Sequence, residues 1–194
     1  MQNFRIGCLV MAAGNAVRFG KNKLAAEYKG KSLIERTLEA IPRELFSEVA
    51  VVTQYEDISE AAHTFGFEVI QNQAPEKGIS ETIRLGTRAL YSCDAIIYMV
   101  ADQPLLQKAS VRKVVSAWEE NPGKIVGAAC CGKKGNPCIF PRKYFDELLA
   151  LTGDHGGSTV IRAHREALLT TDICEQELMD VDTEEALNQL NTTK

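Results

Sequence analysis

Cys8-Leu9-Val10-Met11-Ala12-Ala13-Gly14-Asn15-Ala16-Val17-Arg18-Phe19-Gly20, followed closely by Lys23, is the stretch on which the fold turns. Residues 4–11 form a continuous apolar run of strand length, the mark of a strand buried on both faces of a sheet. The run then breaks into small residues. Ala12, Ala13 and Gly14 let a ligand approach the backbone closely, and consecutive N–H groups in a tight loop can form an anion-binding concavity. Arg18 and Lys23 add the positive charge that a polyphosphate requires. The stretch is neither a Walker A loop, which ends in Gly-Lys-Ser/Thr, nor a Rossmann fingerprint with its spaced glycines. A small-residue turn also opens α/β domains in which nothing binds there, so it is the pair of cations that marks this one as a phosphate loop.

Outward from this stretch, apolar runs and helical patterns alternate. Ser32-x-x-Glu35 makes a capping box for a helix over 33–41, closed by Pro42. A strand over 49–53, a helix over 58–65 and a strand over 67–70 follow. A turn around Pro75 and Gly78 leads into a helix over 80–90, and 94–101 is another buried strand that stops at Asp102-Gln103-Pro104. A helix over 111–118, a strand over 125–131, a helix over 144–151, a strand over 167–171 and an amphipathic helix over 183–190 complete the order. This pattern predicts a three-layer α/β/α sandwich with a mostly parallel, Rossmann-like sheet, in one domain over residues 1–194.

Composition excludes several function classes. The 194 residues are 45% hydrophobic and 25% charged, ordinary for a globule with one sizeable core. A formal net charge of -4 argues against nucleic acid as the main partner, so any anion site must be local. The six cysteines lie mostly on apolar stretches and read as reduced core residues; without a Cys-x-x-Cys, and with three scattered histidines, a structural zinc site is not expected. The apolar run near the start is too short for a secretory segment and nothing later has the length of a membrane span, which makes the cytoplasm the expected location.

Three further segments carry chemistry. Asp102 ends a central strand, where open α/β sheets keep their sites, and could hold a Mg²⁺ that bridges phosphate oxygens; a turn or helix cap would use the same carboxylate. In Gly78-Ile79-Ser80-Glu81-Thr82, hydroxyls stand at a helix start, and capping alone explains either Ser80 or Thr82. Asp180-Val181-Asp182-Thr183 places two acids of alternating direction before a helix. One can point into a site while the other caps, and simple capping by Asp182 or Thr183 stands equally open. Gly135-Asn136-Pro137-Cys138-Ile139-Phe140 and Gly153-Asp154-His155-Gly156-Gly157 read as glycine-rich loops that either turn or receive a ligand.

Taken jointly these segments resemble one family. Leu9-Val10-Met11-Ala12-Ala13-Gly14 with Arg18, Gly20 and Lys23, the segment 72–86, Ala101-Asp102-Gln103-Pro104, Gly135-Asn136-Pro137 with Phe140, Gly153-Asp154 with Gly156, and Asp180-Val181-Asp182-Thr183 follow in order. Over nearly its whole length the chain resembles the MobA-like nucleotidyltransferases, most closely their molybdenum cofactor cytidylyltransferase branch. The resemblance implies a nucleotidyltransferase fold and transfer of CMP from CTP to the terminal phosphate of molybdopterin cofactor, with release of pyrophosphate. It also implies a molybdenum hydroxylase as recipient of the product.

Residue by residue, the resemblance implies that Arg18 and Lys23 hold the triphosphate, Asp102 and Asp182 the Mg²⁺, and Asn72, Ser80 and Thr82 the ribose and base beside Ala12-Ala13-Gly14. Asn136, Pro137 and Asp154 become acceptor-binding residues. Ala12-Ala13-Gly14, in place of the more glycine-rich loop of the guanylyl-transferring relatives, looks like the pyrimidine version. Ala16 stands where the loop usually has serine, and Ser158 where the family has a basic residue. The attacking phosphate of such an acceptor is already anionic at neutral pH, so Arg18, Lys23 and Asp102 would act by positioning and charge rather than by proton transfer. Two other readings stay open: the same half-reaction on a sugar or polyol phosphate, and a nucleotide- or pterin-binding carrier domain without turnover. The joint presence of Arg18, Lys23, Asp102 and Asp182 argues against the carrier.

Overall fold

The structure, a computed structural model, describes residues 4–14 and 22–192. β1 (Ile6–Ala12) is followed by a small hairpin of β2 (Glu27–Tyr28) and β3 (Lys31–Ser32), then α1 (Leu33–Glu39), β4 (Glu48–Thr53), α2 (Glu56–Thr64) and β5 (Glu68–Gln71). The chain continues through α3 (Ile79–Ala89), β6 (Ala95–Val100), α4 (Lys108–Glu119), β7 (Ile125–Cys130), β8 (Lys133–Pro141), α5 (Phe145–Leu149), α6 (Gly157–Ala163), β9 (Leu168–Asp172) and α7 (Glu184–Thr192). Seven strands form one sheet in the order β5-β4-β1-β6-β8-β7-β9. All neighbours are parallel except β8, which runs against both β6 and β7. The expected three-layer α/β/α sandwich with a mostly parallel, Rossmann-like sheet is what the chain forms.

β1 reads as unbroken apolar sequence because both of its faces are covered. Ile6, Cys8, Val10 and Ala12 join a core with Ile34, Leu38, Ile58 and Trp118 from α1, α2 and α4. Leu9 points the other way, into a core with Ile83, Phe145 and Val160 from α3, α5 and α6. α3 lies so tightly on β1 that a Cβ at Gly86 would fall inside the Leu9 side chain. A Gly86→Ala change would therefore overpack this face, at a cost of about 1–3 kcal/mol.

Helix starts follow the expected chemistry. Ser32 N–H donates to Glu35 Oε2 at 2.7 Å while Glu35 N–H donates to Ser32 Oγ at 3.3 Å, a complete capping box on α1. At α7 it is Thr183 that caps, its Oγ1 accepting from Ala186 N–H at 3.1 Å. Asp182 is left for other work.

Two expectations are corrected. The segment from Gly135 to Phe140 is not a loop but the body of β8, which fills the gap between β6 and β7. Gly, Asn and Pro are turn formers, and they mislead here because the strand carries an irregularity. The β7–β8 register jumps from Gly127↔Cys138 to Ala128↔Gly135, leaving Asn136 and Pro137 unpaired with β7, and a bulge is where a strand tolerates a proline without an N–H. The cysteines, all free, are also not uniformly core residues: Cys8, Cys93 and Cys138 are buried, but Cys131 and Cys174 are exposed and Cys130 is intermediate. Among the described residues no helix is long and apolar enough to cross a membrane.

Candidate active site

β1 connects through α1 to β4 on one side while β6 lies on the other, so the strand order reverses between β1 and β6. The crevice outside the carboxyl ends of such strands is where open α/β sheets bind ligands. Here it holds a cavity of about 710 Å³ lined by Ala13 and Gly14 after β1, Ala101 and Asp102 after β6, and Lys23, Thr82, Asp154 and Asp182.

Lys23 stands at the centre of the charge. Asn22, whose side chain accepts Leu24 N–H and donates to the Asp57 carboxylate, fixes the short turn that carries it. From there Lys23 Nζ donates to Asp102 Oδ2 at 2.7 Å and to Asp182 Oδ1 at 3.1 Å. Asp182 arrives from the far end of the chain because Val181 N–H donates to the Asp102 carbonyl at 2.9 Å and the Val181 side chain is wholly buried beside Tyr28, Leu33 and Leu187. With Val181 locked inward, its neighbours face outward. On the other side of this strap, Gln103 Nε2 donates to Asp180 Oδ1 at 2.9 Å.

Burial works against the Lys23 ammonium, but its hydrogen bonds and attraction to Asp102 and Asp182 outweigh this and hold its pKa above the usual lysine value. Burial, reinforced by the Asp102 carboxylate, raises the pKa of Asp180. Glu76, Asp102, Asp154 and Asp182 line the cavity against the one ammonium of Lys23 among the described residues. Asp102 Oδ1 is buried there without a hydrogen-bond partner.

The end of β1 is held from β4. Thr53 Oγ1 donates to the Ala12 carbonyl at 3.0 Å, Gln54 Nε2 to the Ala13 carbonyl at 2.9 Å, and Tyr55 OH to the Gly14 carbonyl at 3.1 Å. On the opposite wall, Gly78 adopts φ 81, and a Cβ on it would come within 2.6 Å of the Gly153 carbonyl group. That close approach brings Asp154 to the cavity, and Ser80 N–H donates to Gly153 O at 3.2 Å.

The structure thus brings together Ala13, Gly14, Lys23, Thr82, Asp102, Asp154 and Asp182. Arg18, with Ala16 and Gly20, lies outside the described residues. Three expected contact residues sit behind the wall instead. Ala12 points its methyl into the core; Asn72 is buried, donating to Thr82 Oγ1 at 3.2 Å and accepting from Ala74 N–H at 3.0 Å; Ser80 is buried with its hydroxyl toward the Lys77 carbonyl. Neither reading of Ser80 is what the structure shows, since α3 has no side-chain cap and the hydroxyl donates to the Lys77 carbonyl at 3.4 Å. Asn136 lines a second recess, and Pro137 belongs to the β8 bulge beside it.

That recess, of about 280 Å³, adjoins the cavity across Met11, Ile79 and Val100. Tyr98, Phe140, Ile83 and Ile161 make its surface apolar, with Lys134, Asn136 and Ser158 as its polar side chains. The Tyr98 hydroxyl is already bonded to Thr87 Oγ1 at 2.8 Å, and burial pushes the Cys138 thiol up to about 12, so both act as hydrophobes. Sequence reasoning missed this annex, and it missed Leu24, Glu76 and Ile79 in the main cavity. Glu76 and Ile79 lay inside the segment 72–86 that carries the resemblance without being named as contacts, and Leu24 had no local signal beyond its place beside Lys23.

A small-residue loop, a lysine and a strand-end carboxylate at the switch point of a Rossmann-like sheet define the nucleotidyltransferase type of α/β fold. The chain belongs to the MobA-like NTP transferase domain family, which matches residues 8–168. It is 31% identical over 117 residues to a 3-deoxy-manno-octulosonate cytidylyltransferase of Christiangramia forsetii, covering 60% of this chain and 46% of that one. It is 27% identical over 164 residues to the purine catabolism protein PucB of Bacillus subtilis, covering 79% and 78%. To a probable molybdenum cofactor guanylyltransferase of Aquifex aeolicus it is 30% identical over 117 residues, covering 58% and 54%. The chain thus spans under half the length of the octulosonate cytidylyltransferase that it matches.

Among solved structures, a nucleotidyl transferase from Methanothermobacter thermautotroptrophicus superposes with TM-score 0.82 at 21% identity, covering 96% of each chain. The manganese complex of Rv0371c from Mycobacterium tuberculosis superposes with TM-score 0.77 at 22% identity, covering 98% of this chain and 100% of that one. These two likenesses establish the fold.

Proposed function

We propose that this chain transfers CMP from CTP to the phosphate of a molybdopterin-type acceptor, releasing pyrophosphate, and that a molybdenum hydroxylase receives the product. The observation that carries this reading is the Lys23 ammonium held by Asp102 and Asp182 at the β1–β6 crevice, beside the small-residue loop. An acceptor phosphate oxygen attacks the α-phosphorus, and the bond from that phosphorus to the bridging oxygen of pyrophosphate breaks. Both partners are anions, so the task of the protein is to align them and offset the charge that grows on the leaving group. Lys23 does this from the crevice; Arg18, proposed for the same role, lies outside the described residues. Asp102 and Asp182 orient Lys23; neither is a nucleophile.

The carboxylates also fit a divalent cation. Mg²⁺ is an ion bound through one or two carboxylates and completed by substrate phosphates and water, and Asp102 and Asp182 supply two carboxylates within reach of the one Lys23 ammonium. The unpartnered Asp102 Oδ1 and the acid excess of the cavity point the same way. Asp102 and Asp182 would hold the ion, which when bound neutralises phosphate oxygens.

Ala13 borders the cavity where the guanylyl-transferring relatives have a more glycine-rich loop, which supports cytosine over the larger guanine. The apolar annex supports a ring-bearing acceptor. A sugar-type acceptor, suggested by the octulosonate cytidylyltransferase relatives, would lose hydration of its hydroxyls there with few replacement partners, at about 1–3 kcal/mol for each one left unpaired. Pyrophosphate release from CTP and from GTP, each with a molybdopterin or a polyol phosphate acceptor, tests the reading. Faster release from GTP refutes the base assignment, and turnover on the polyol alone refutes the acceptor.

A further inference from the structure

We infer that Gln54 and Tyr55, just past the end of β4, are positioning residues for the nucleotide loop: Gln54 aims the backbone amide of Gly14 at the nucleotide phosphates, and Tyr55 holds the Gly14 carbonyl turned away from them. The inference rests on the reading of that loop as the nucleotide loop. It comes from the three donors that Thr53, Gln54 and Tyr55 direct at the carbonyls of Ala12, Ala13 and Gly14, at 3.0, 2.9 and 3.1 Å. Three consecutive residues, Thr53 at the end of β4 and the two that follow it, thereby hold three consecutive carbonyls at and just past the end of β1.

In a trans peptide the C=O of one residue and the N–H of the next point in opposite directions. Drawing the Ala12 carbonyl toward β4 turns the Ala13 N–H away from it. Drawing the Ala13 carbonyl toward Gln54 does the same for the Gly14 N–H. The side away from β4 is the side of β6, and it is there that Ala13 and Gly14 border the cavity with Asp102. A peptide with a small side chain can otherwise flip, and a flipped one would present its carbonyl oxygen to a phosphate.

Thr53 is wholly buried and also accepts the Tyr55 N–H at 3.1 Å, so its role in folding cannot be separated from its role in the loop. Tyr55 and Gln54 can be tested. The Tyr55 hydroxyl is partnered with the Gly14 carbonyl while the Tyr55 backbone binds Thr53 and Ser59, so Tyr55→Phe removes the one donor and leaves the turn. Gln54→Glu keeps the shape and replaces a donor with an acceptor that repels the Ala13 carbonyl.

The measurement is the affinity of wild type, Gln54→Glu, Tyr55→Phe and Gln54→Asn for CTP and for cytidine by calorimetry, with melting temperature as the folding control. GTP and guanosine are run in parallel. In wild type the triphosphate binds more tightly than its nucleoside. Gln54→Glu weakens the triphosphate by about ten- to a hundredfold and Tyr55→Phe by about three- to tenfold, while nucleoside affinity and melting temperature hold steady. Gln54→Asn, which keeps an amide donor, recovers part of the loss. A merely structural role would lower the melting temperature and weaken nucleoside and triphosphate alike. If both variants retain the wild-type preference for triphosphate over nucleoside, the positioning role is wrong and the proposed function stands. If wild type itself shows no such preference with either base, the phosphate-loop reading fails and this inference with it.

Discussion

The charged cavity and the apolar annex share Met11, Ile79 and Val100, yet they are built from opposite chemistry. In the cavity, four carboxylates and the Lys23 ammonium come from strand ends and loops, where backbone and charge can face a polyphosphate. The annex is a gap in the packing between α3, α5, α6 and the central strands β1, β6 and β8, lined by side chains that elsewhere would be ordinary core. The difference teaches that adjoining recesses can work by separate forces, and on the proposed reaction charge would hold the nucleotide and shape with burial the acceptor. Perturbing either region should leave the other working.

The hardest break is in the cavity. Lys23→Ala should lower kcat by about 10²–10³-fold, the size of losing one preorganised contact to developing charge, with acceptor KM little changed. Steady-state kinetics on the folded variant decides it, and near-normal turnover would reduce Lys23 to a structural ion pair. The converse is Ile161→Trp, which fills the annex and should raise acceptor KM by about ten- to thirtyfold while leaving the KM for CTP in place. Equal changes in the two KM values would mean that the regions are not separable.

A finer comparison lies within two adjacent residues. Asp182→Asn should raise the Mg²⁺ concentration needed for half-maximal activity by about three- to tenfold, because an amide is a poorer ligand than a carboxylate, without loss of stability. Thr183→Ala should do the reverse: about 1 kcal/mol lost from unfolding free energy with the cap of α7, and an unchanged Mg²⁺ curve. Activity against Mg²⁺ and denaturant melts on both proteins would expose any mixing of roles.

The smallest effect lies outside both regions and serves as their control. Hydrogen bonds from the Ser32 hydroxyl and backbone N–H hold the Glu35 carboxyl below the usual glutamate range. A depressed carboxyl pKa contributes stability above the unfolded value, and that contribution fades as pH falls through the folded one. The melting temperature gap between wild type and Glu35→Ala should therefore be present at pH 7 and close on acidification below about pH 4, with nucleotide affinity at pH 7 unmoved.

Much of this molecule is legible along the chain. β1 and β6 were readable because strands covered on both faces must be apolar throughout, and α1 because Ser32 and Glu35 satisfy its first N–H groups locally. β8 was not, since Gly135, Asn136 and Pro137 carry the chemistry of a turn and become strand only through the pairing of β8 with β6 and, around a bulge, with β7. Of the cavity lining, Lys23 and Asp102 were legible from their places after the apolar runs that become β1 and β6. Asn72 and Ser80 carried an equally suggestive pattern and proved to be parts of the wall.

By itself the sequence determined the layer architecture, the small-residue loop after β1 and the carboxylate after β6, because burial and helix capping act over a few residues and leave a local record. Only the tertiary structure decided which of the two C-terminal acids reaches the site, how the β1 carbonyls are held, and that an apolar annex exists. Those outcomes depend on contacts between distant segments. Lys23 and Asp182 are separated by 159 positions and meet because Val181 is buried and bonded to the end of β6, a constraint that no local pattern in either segment encodes.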